Sequence, residues 1–124
     1  MNKKELMAEE IYQAVESLGL AKALCATFGS RVKVSVPFAK IDCDEAIDGM
    51  VLSVRAFNAL KRAGAFTVGD VVDLILNDEL MKIRNLGRKT AVEIKVSVME
   101  FGYSRLTERE KKAFLGDVIK RNCI

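Results

Sequence analysis

Apolar residues open the chain at three- and four-residue steps. Leu6, Ile11, Ala14, Val15 and Leu18 recur in this way, with Glu9, Glu10 and Glu16 between them. The period predicts an amphipathic helix over residues 3 to about 28. Gly19 divides it, leaving a second helix from Leu20 to Phe28 that Gly29 and Ser30 close. Two readings fit such a helix: packing on its own domain, or binding a partner or a second copy. The period then changes. In Arg31-Val32-Lys33-Val34-Ser35-Val36-Pro37-Phe38, three valines alternate with polar residues. This predicts one half-buried strand, ended or held at an edge by Pro37. With no clear second strand in the sequence, it needs a short neighbour, a second copy or another protein to pair with. Residues 39–50 contain Asp42, Asp44, Glu45 and Asp48, and read as a solvated linker or short helix. They mark the candidate boundary after an N-terminal helix/strand segment, 1–40.

Four short helices are predicted in close order after that boundary. Ser53 caps the first, which runs through Leu60 to about Arg62 before Gly64. Val54, Phe57 and Leu60 form its apolar face, while Arg55 and Asn58 share another. Thr67 caps the second, Val68 to about Ile75, with Asp70 in its first turn. Asn77 or Asp78 caps a single-turn third, Glu79 to Ile83. The fourth runs from about Gly87 to Phe101, with Ala91, Ile94, Val98 and Phe101 inward and Gly102 at its end. A tail, 104–124, begins with the capping box Thr107-Glu108-Arg109-Glu110 and continues as a helix to about Asn122. Phe114, Leu115, Val118 and Ile119 mark its apolar face; Lys111, Lys112, Lys120 and Arg121 make the other face basic. The fold class is therefore mainly α: a compact bundle of four short helices, an N-terminal helix and short strand, and a C-terminal helix.

Composition narrows the function. The 124 residues are 50% hydrophobic, enough for a core, and carry a net charge of only +3. That is far from the balance of a protein that coats nucleic acid, so any nucleic-acid contact is local and salt-sensitive. The charge is uneven: net −2 over residues 1–48, +2 over 49–103 and +3 over 104–124. There is no His, which removes the commonest general base and most zinc sites. Asp42, Asp44, Glu45 and Asp48 lack the spacing of a calcium loop. Cys25, Cys43 and Cys123 are widely separated, and with no secretory signal they read as reduced thiols of a cytoplasmic protein. No run approaches the roughly 20 apolar residues of a membrane span.

The chemistry concentrates at Arg84-Asn85-Leu86-Gly87-Arg88-Lys89-Thr90-Ala91. Gly87 marks a backbone that approaches something closely or turns with φ > 0. A helix starts behind it, with its first amides unpaired and Arg88 and Lys89 adding positive charge. Exposed amides, the positive end of a helix dipole and cationic side chains make a phosphate seat. Ile83, Leu86, Gly87 and Ala91 also have the spacing of a helix-hairpin-helix, a motif that holds nucleic-acid backbone without reading bases. The basic face of the tail is then either a solvated face or an extra backbone contact.

Two separated stretches carry a family resemblance. They are Leu52-Ser53-Val54-Arg55-Ala56-Phe57-Asn58-Ala59-Leu60-Lys61-Arg62-Ala63-Gly64 with Thr67-Val68-Gly69-Asp70, and Met81-Lys82-Ile83-Arg84-Asn85-Leu86-Gly87-Arg88-Lys89-Thr90. Over about residues 41–103 the sequence closely resembles the C-terminal domain of the bacterial RNA polymerase α subunit. The first 40 residues do not resemble that subunit's assembly domain. The resemblance is that of a free-standing relative, such as a phage or mobile-element regulator or a bacterial accessory factor. It implies binding to the minor groove of A·T-rich DNA, contacts with RNA polymerase, σ factor or activators, no cofactor and no catalysis. Residue by residue it implies that Arg55 enters the groove, with Asn58 one turn on. Ala59 stands where the family often has Cys. Gly87 donates its backbone, Lys89 meets phosphate with the Thr90 hydroxyl beside it, and Glu93 supports them.

The chemistry agrees with these assignments. A narrow A·T minor groove has an enhanced negative potential that attracts Arg. Backbone contacts at Gly87, Lys89 and Thr90 fix register without a base code. Glu93, at i+4 from Lys89, is placed to hold Lys89 or Arg55. The family's acidic σ-facing patch is reduced here to Asp48 within Asp48-Gly49-Met50-Val51. The first hypothesis is thus a DNA-binding transcription module whose N-terminal segment mediates homodimerisation or holds a protein partner. The alternative is a protein-interaction module that binds RNA polymerase or a transcription factor without DNA.

Overall fold

The structure, a computed structural model, describes residues 2–29 and 34–122. Among these residues lie the helices α1 (Lys3–Leu18), α2 (Leu20–Phe28), α3 (Val54–Arg62), α4 (Val68–Leu76), α5 (Arg88–Ser104) and α6 (Glu108–Asn122). Single 3-10 turns occupy Phe38–Ile41, Ile47–Gly49 and Leu80–Lys82. The mainly α expectation holds, and so do most predicted helix starts, because each is set by a local cap. The Asn2 side chain accepts from the Glu5 N–H, and that of Ser53 from the Ala56 N–H. Thr67 and Asp70 form a reciprocal capping box at α4. At α6, Thr107 Oγ accepts from the Glu110 N–H while the Glu110 carboxylate accepts from the Thr107 N–H. Gly19, at φ +85, separates α1 from α2 as expected.

The long helix α5 is the centre of packing. Helices α2, α3 and α4 and the turn Phe38–Ile41 all lie against it, and α1 packs on α2 and α6. One apolar core runs from Ile11, Leu20 and Leu24 of the N-terminal helices, through Ile94 and Val98 of α5, to Phe114 and Leu115 of α6. The α1 and α2 helices therefore pack within their own protein.

Several expectations are corrected. No strand occurs among the described residues. Arg31 to Lys33 lie outside them, and Val34 to Pro37 take no regular secondary structure and join no ladder. The alternation is real as burial: Val34 and Val36 are partly buried and Ser35 is exposed. The hydrogen-bond partner is a helix end. The Ser35 N–H donates to Asn122 Oδ1 at 2.8 Å, and Asn122 Nδ2 donates to the Ser35 carbonyl at 2.9 Å. Residues 39–50 are not a solvated linker, since Ile41, Ile47 and Met50 are buried. Their acids are exposed, and one of them, Glu45, ties the segment to Arg105 at 2.6 Å. The carbonyls of Cys43 and Glu45 accept from the Gly69 and Val68 N–H groups, closing the start of α4.

The predicted third helix is a 3-10 turn, with Asn77 capping the end of α4 and Asp78 at φ 54. Val54 is 76% exposed, so the buried face of α3 is Ala56, Ala59 and Leu60 instead. Helix α5 passes through Gly102 to Ser104. A Cβ at Gly102 would sit 2.5 Å from Ile41 Cβ and 2.8 Å from its carbonyl oxygen, so this glycine marks a close approach inside the helix.

Candidate nucleic-acid interface

Helix α3 presents Arg55 and Asn58 outward, both exposed, above the buried Ala56 and Leu60. Ala59, expected as a contact residue, faces the core at 1% exposure and offers no surface to a ligand. Its neighbour Asn58 occupies the outer face that an inward-turned Ala59 cannot.

The start of α5 has a different character from the other described helix starts. The Asn85 backbone takes the left-handed conformation, φ 64, and Leu86 plugs into the core at 6% exposure. Gly87 is the N-cap, at φ −80 and ψ 169, and no side chain caps the helix there. The expectation of φ > 0 at Gly87 is corrected, because the turn is made at Asn85. A Cβ at Gly87 would meet nothing within 4 Å, so no internal contact requires a glycine there. Among the described residues, the amides of Arg88, Lys89 and Thr90 have no acceptor. By contrast, α1, α3, α4 and α6 are capped by side chains, and in α2 the Ala21 N–H donates to Glu100 Oε1. Arg88 and Lys89 are exposed beside these open amides, whereas Thr90 is 9% exposed.

Glu93 joins the two helices, though not as an ion-pair partner of Lys89 or Arg55. Its carboxylate accepts from the Ser53 N–H at 2.6 Å and from the Ser53 hydroxyl at 3.0 Å. One turn on, the Ser97 hydroxyl donates to the Val51 carbonyl at 2.7 Å. Two α5 side chains thus clamp the segment that starts α3, fixing Arg55 relative to the open end of α5. Ser53 and Ser97 are positioning residues that sequence reasoning missed as such; the Ser53 cap was the only signal available.

Charge is unspent at this site. Among the described residues, no ion pair engages Arg55, Arg88 or Lys89. The tail's basic face is largely committed. Lys112 pairs with Glu9 and Glu108, Arg121 pairs with Asp117, and Lys111 sits 5.3 Å over the Tyr103 ring. Burial pushes the Tyr103 phenol up to about 12. Burial also pushes the Asp117 carboxyl upward, but hydrogen bonds from Lys40 and Arg121 outweigh it and hold the group below its ordinary value. Cys25 is exposed and Cys43 partly buried, while Cys123 lies outside the described residues. No helix among the described residues is long and apolar enough to cross a membrane.

Among the described residues, the start of α5 has no acceptor for its first amides and is flanked by the exposed cations Arg88 and Lys89, and Glu93 clamps it to a second helix bearing the exposed Arg55. The sequence is matched over residues 39–100, half of its length, by the family of the C-terminal domain of the bacterial RNA polymerase alpha subunit, and the protein belongs to that family. The family is one of non-catalytic, transcription-associated DNA-binding domains. The match spans every candidate contact residue, from Arg55 to Glu93. No solved structure matches the protein.

Proposed function

We propose that this protein is a DNA-binding transcription module that holds the minor groove of A·T-rich DNA. Arg55 enters the groove, Asn58 lies along its edge, and Gly87, Lys89 and Thr90 seat the phosphates, with Glu93 positioning α3. The observation that carries this reading is the uncapped start of α5, whose amides have no acceptor among the described residues beside the unpaired Lys89. A phosphate oxygen satisfies those amides and the positive helix end together. A protein of this kind, encoded by a bacterium or its phage, acts in the cytoplasm. The segment 1–40 then serves association, as a homodimer, or partner binding, through surface left free by its packing on α6, the domain 41–103 holds the DNA, and the tail 104–124 is a basic amphipathic helix packed against α1.

The test is binding to a short A·T-rich duplex and to a G·C-rich one across a salt series. Arg55→Ala is expected to weaken A·T binding by about 1–3 kcal/mol and remove the preference. Unchanged affinity with an intact fold refutes the assignment of Arg55. One observation favours the alternative, a protein-interaction module that binds polymerase or a transcription factor without DNA. Val51 and Val54 are 89% and 76% exposed at the start of α3. Capture of RNA polymerase or a transcription factor that needs no DNA and survives Arg55→Ala, with no duplex binding at low salt, supports that reading.

A further inference from the structure

A second cationic surface adjoins the site. A groove of about 660 Å³ lies where the end of α3 meets the hairpin before α5, and Arg62, Glu79, Lys82, Ile83, Arg84 and Asn85 line it. Three of these are cations, on two separate elements, and one is a carboxylate. All three cations are exposed, and among the described residues no ion pair engages them.

Arg62 also continues a line already in use. Arg55, Asn58 and Arg62 stand at i, i+3 and i+7, one stripe of α3. The adjacent Lys61 is turned aside, 4.8 Å over the Phe57 ring. A cation in the last turn of α3 complements that helix's negative end, and this accounts for Arg62 alone. It does not account for Lys82 and Arg84 meeting Arg62 across a groove. The left-handed Asn85 turn joins the groove directly to the open amides of α5. One hairpin therefore offers an anion two adjacent sides.

We propose that this groove holds further backbone phosphates of the same DNA duplex, with Arg62 and Arg84 as the contacts. The proposal rests on the minor-groove reading above. A duplex whose groove receives Arg55 runs along the Arg55–Asn58–Arg62 stripe, and its phosphate line then passes the groove. Guanidinium groups suit phosphate because their planar donors bind it in a bidentate way. Each phosphate neutralised releases condensed counterions, so these contacts are visible in the salt dependence.

The experiment measures binding of the full-length protein to a short A·T-rich duplex and to a G·C-rich one across a salt series. The variants are Arg62→Ala/Arg84→Ala, Arg62→Lys/Arg84→Lys and Arg55→Ala, each checked for an unchanged melting transition. The double alanine variant is expected to lower the slope of log affinity against log salt by about 2. It keeps the A·T preference, and the double lysine variant restores the slope. Arg55→Ala instead removes the preference. If the double alanine variant binds with unchanged slope and affinity while Arg55→Ala still weakens binding, the groove is not a DNA contact and the minor-groove reading stands. If the unaltered protein fails to bind the duplex at low salt, both readings fall.

Discussion

The clamp between Ser53 and Glu93 is the feature most open to quantitative test. Ser53→Ala removes a hydroxyl that accepts from the Ala56 N–H at 3.2 Å and donates to Glu93 at 3.0 Å. Loss of such a cap costs about 1 kcal/mol. Glu93→Ala removes the same hydroxyl contact and also the 2.6 Å bond from the Ser53 N–H. Hydrogen bonds to charged groups contribute about 1.5–3 kcal/mol, and partial exposure places this one near the lower end. The Ser53 hydroxyl bond to Glu93 is common to both variants, so the double variant counts it once. A double-mutant cycle by urea unfolding is therefore expected to give a coupling of about 0.5–1 kcal/mol. The same cycle between Lys89 and Glu93 is expected to give no coupling. In DNA binding, Glu93→Ala lowers affinity through the position of α3 and leaves the salt slope unchanged, because no phosphate contact is removed. The reasoning is refuted if Ser53 and Glu93 are uncoupled while Lys89 and Glu93 are coupled.

Two other predictions concern the scaffold. Gly102→Ala gains about 1 kcal/mol of helix propensity. It also drives a Cβ to 2.5 Å from Ile41 Cβ and 2.8 Å from a backbone oxygen that no rotamer change can move aside. Overpacking of this kind costs up to about 3 kcal/mol, so the urea midpoint falls; a midpoint at or above that of the unaltered protein refutes the close packing of α5 on Ile41. The Asp70 carboxyl is held below its ordinary value of 3.8 by hydrogen bonds from the Phe66 and Thr67 N–H groups. A carboxyl depressed in the folded state stabilises fully above that ordinary value and loses its contribution as pH falls through the lower folded-state value. The acid limb of thermal stability is therefore less steep in Asp70→Asn, and identical acid limbs would count against the capping bonds.

The parts of the fold legible in the sequence were those governed by side chains bonding to nearby backbone. Ser53, Thr67 and Thr107 each bond within three residues, and each marked its helix correctly. Long-range contacts were not legible. Gly102 reads locally as a helix end, and only the approach of Ile41 shows why α5 continues through it. Residues 39–50 read as solvated because their acids dominate the composition, while Ile41, Ile47 and Met50 among them carry the packing. Val34 and Val36 are partly buried as the alternation indicated, but the pattern did not show the partner of this segment, the side-chain amide of Asn122, which bonds the Ser35 backbone. At the site, Arg55 and Asn58 emerge on the outer face as their spacing indicated, and Ala59 turns inward. Glu93 was singled out by resemblance, but its partner lies forty residues away at Ser53, beyond any local rule.

The open start of α5 also has a thermodynamic consequence. The backbone at Gly87 already has the extended geometry of an ordinary N-cap, with open space where a side chain would project. A Ser or Asp there would bond the free amides, but Gly is only a few tenths of a kcal/mol less favourable than those caps. The helix thus gives up little stability by leaving its first turn unfinished. A phosphate seated there, as proposed, would return that deficit as binding energy, so that occupancy and firmness of the α5 start rise together.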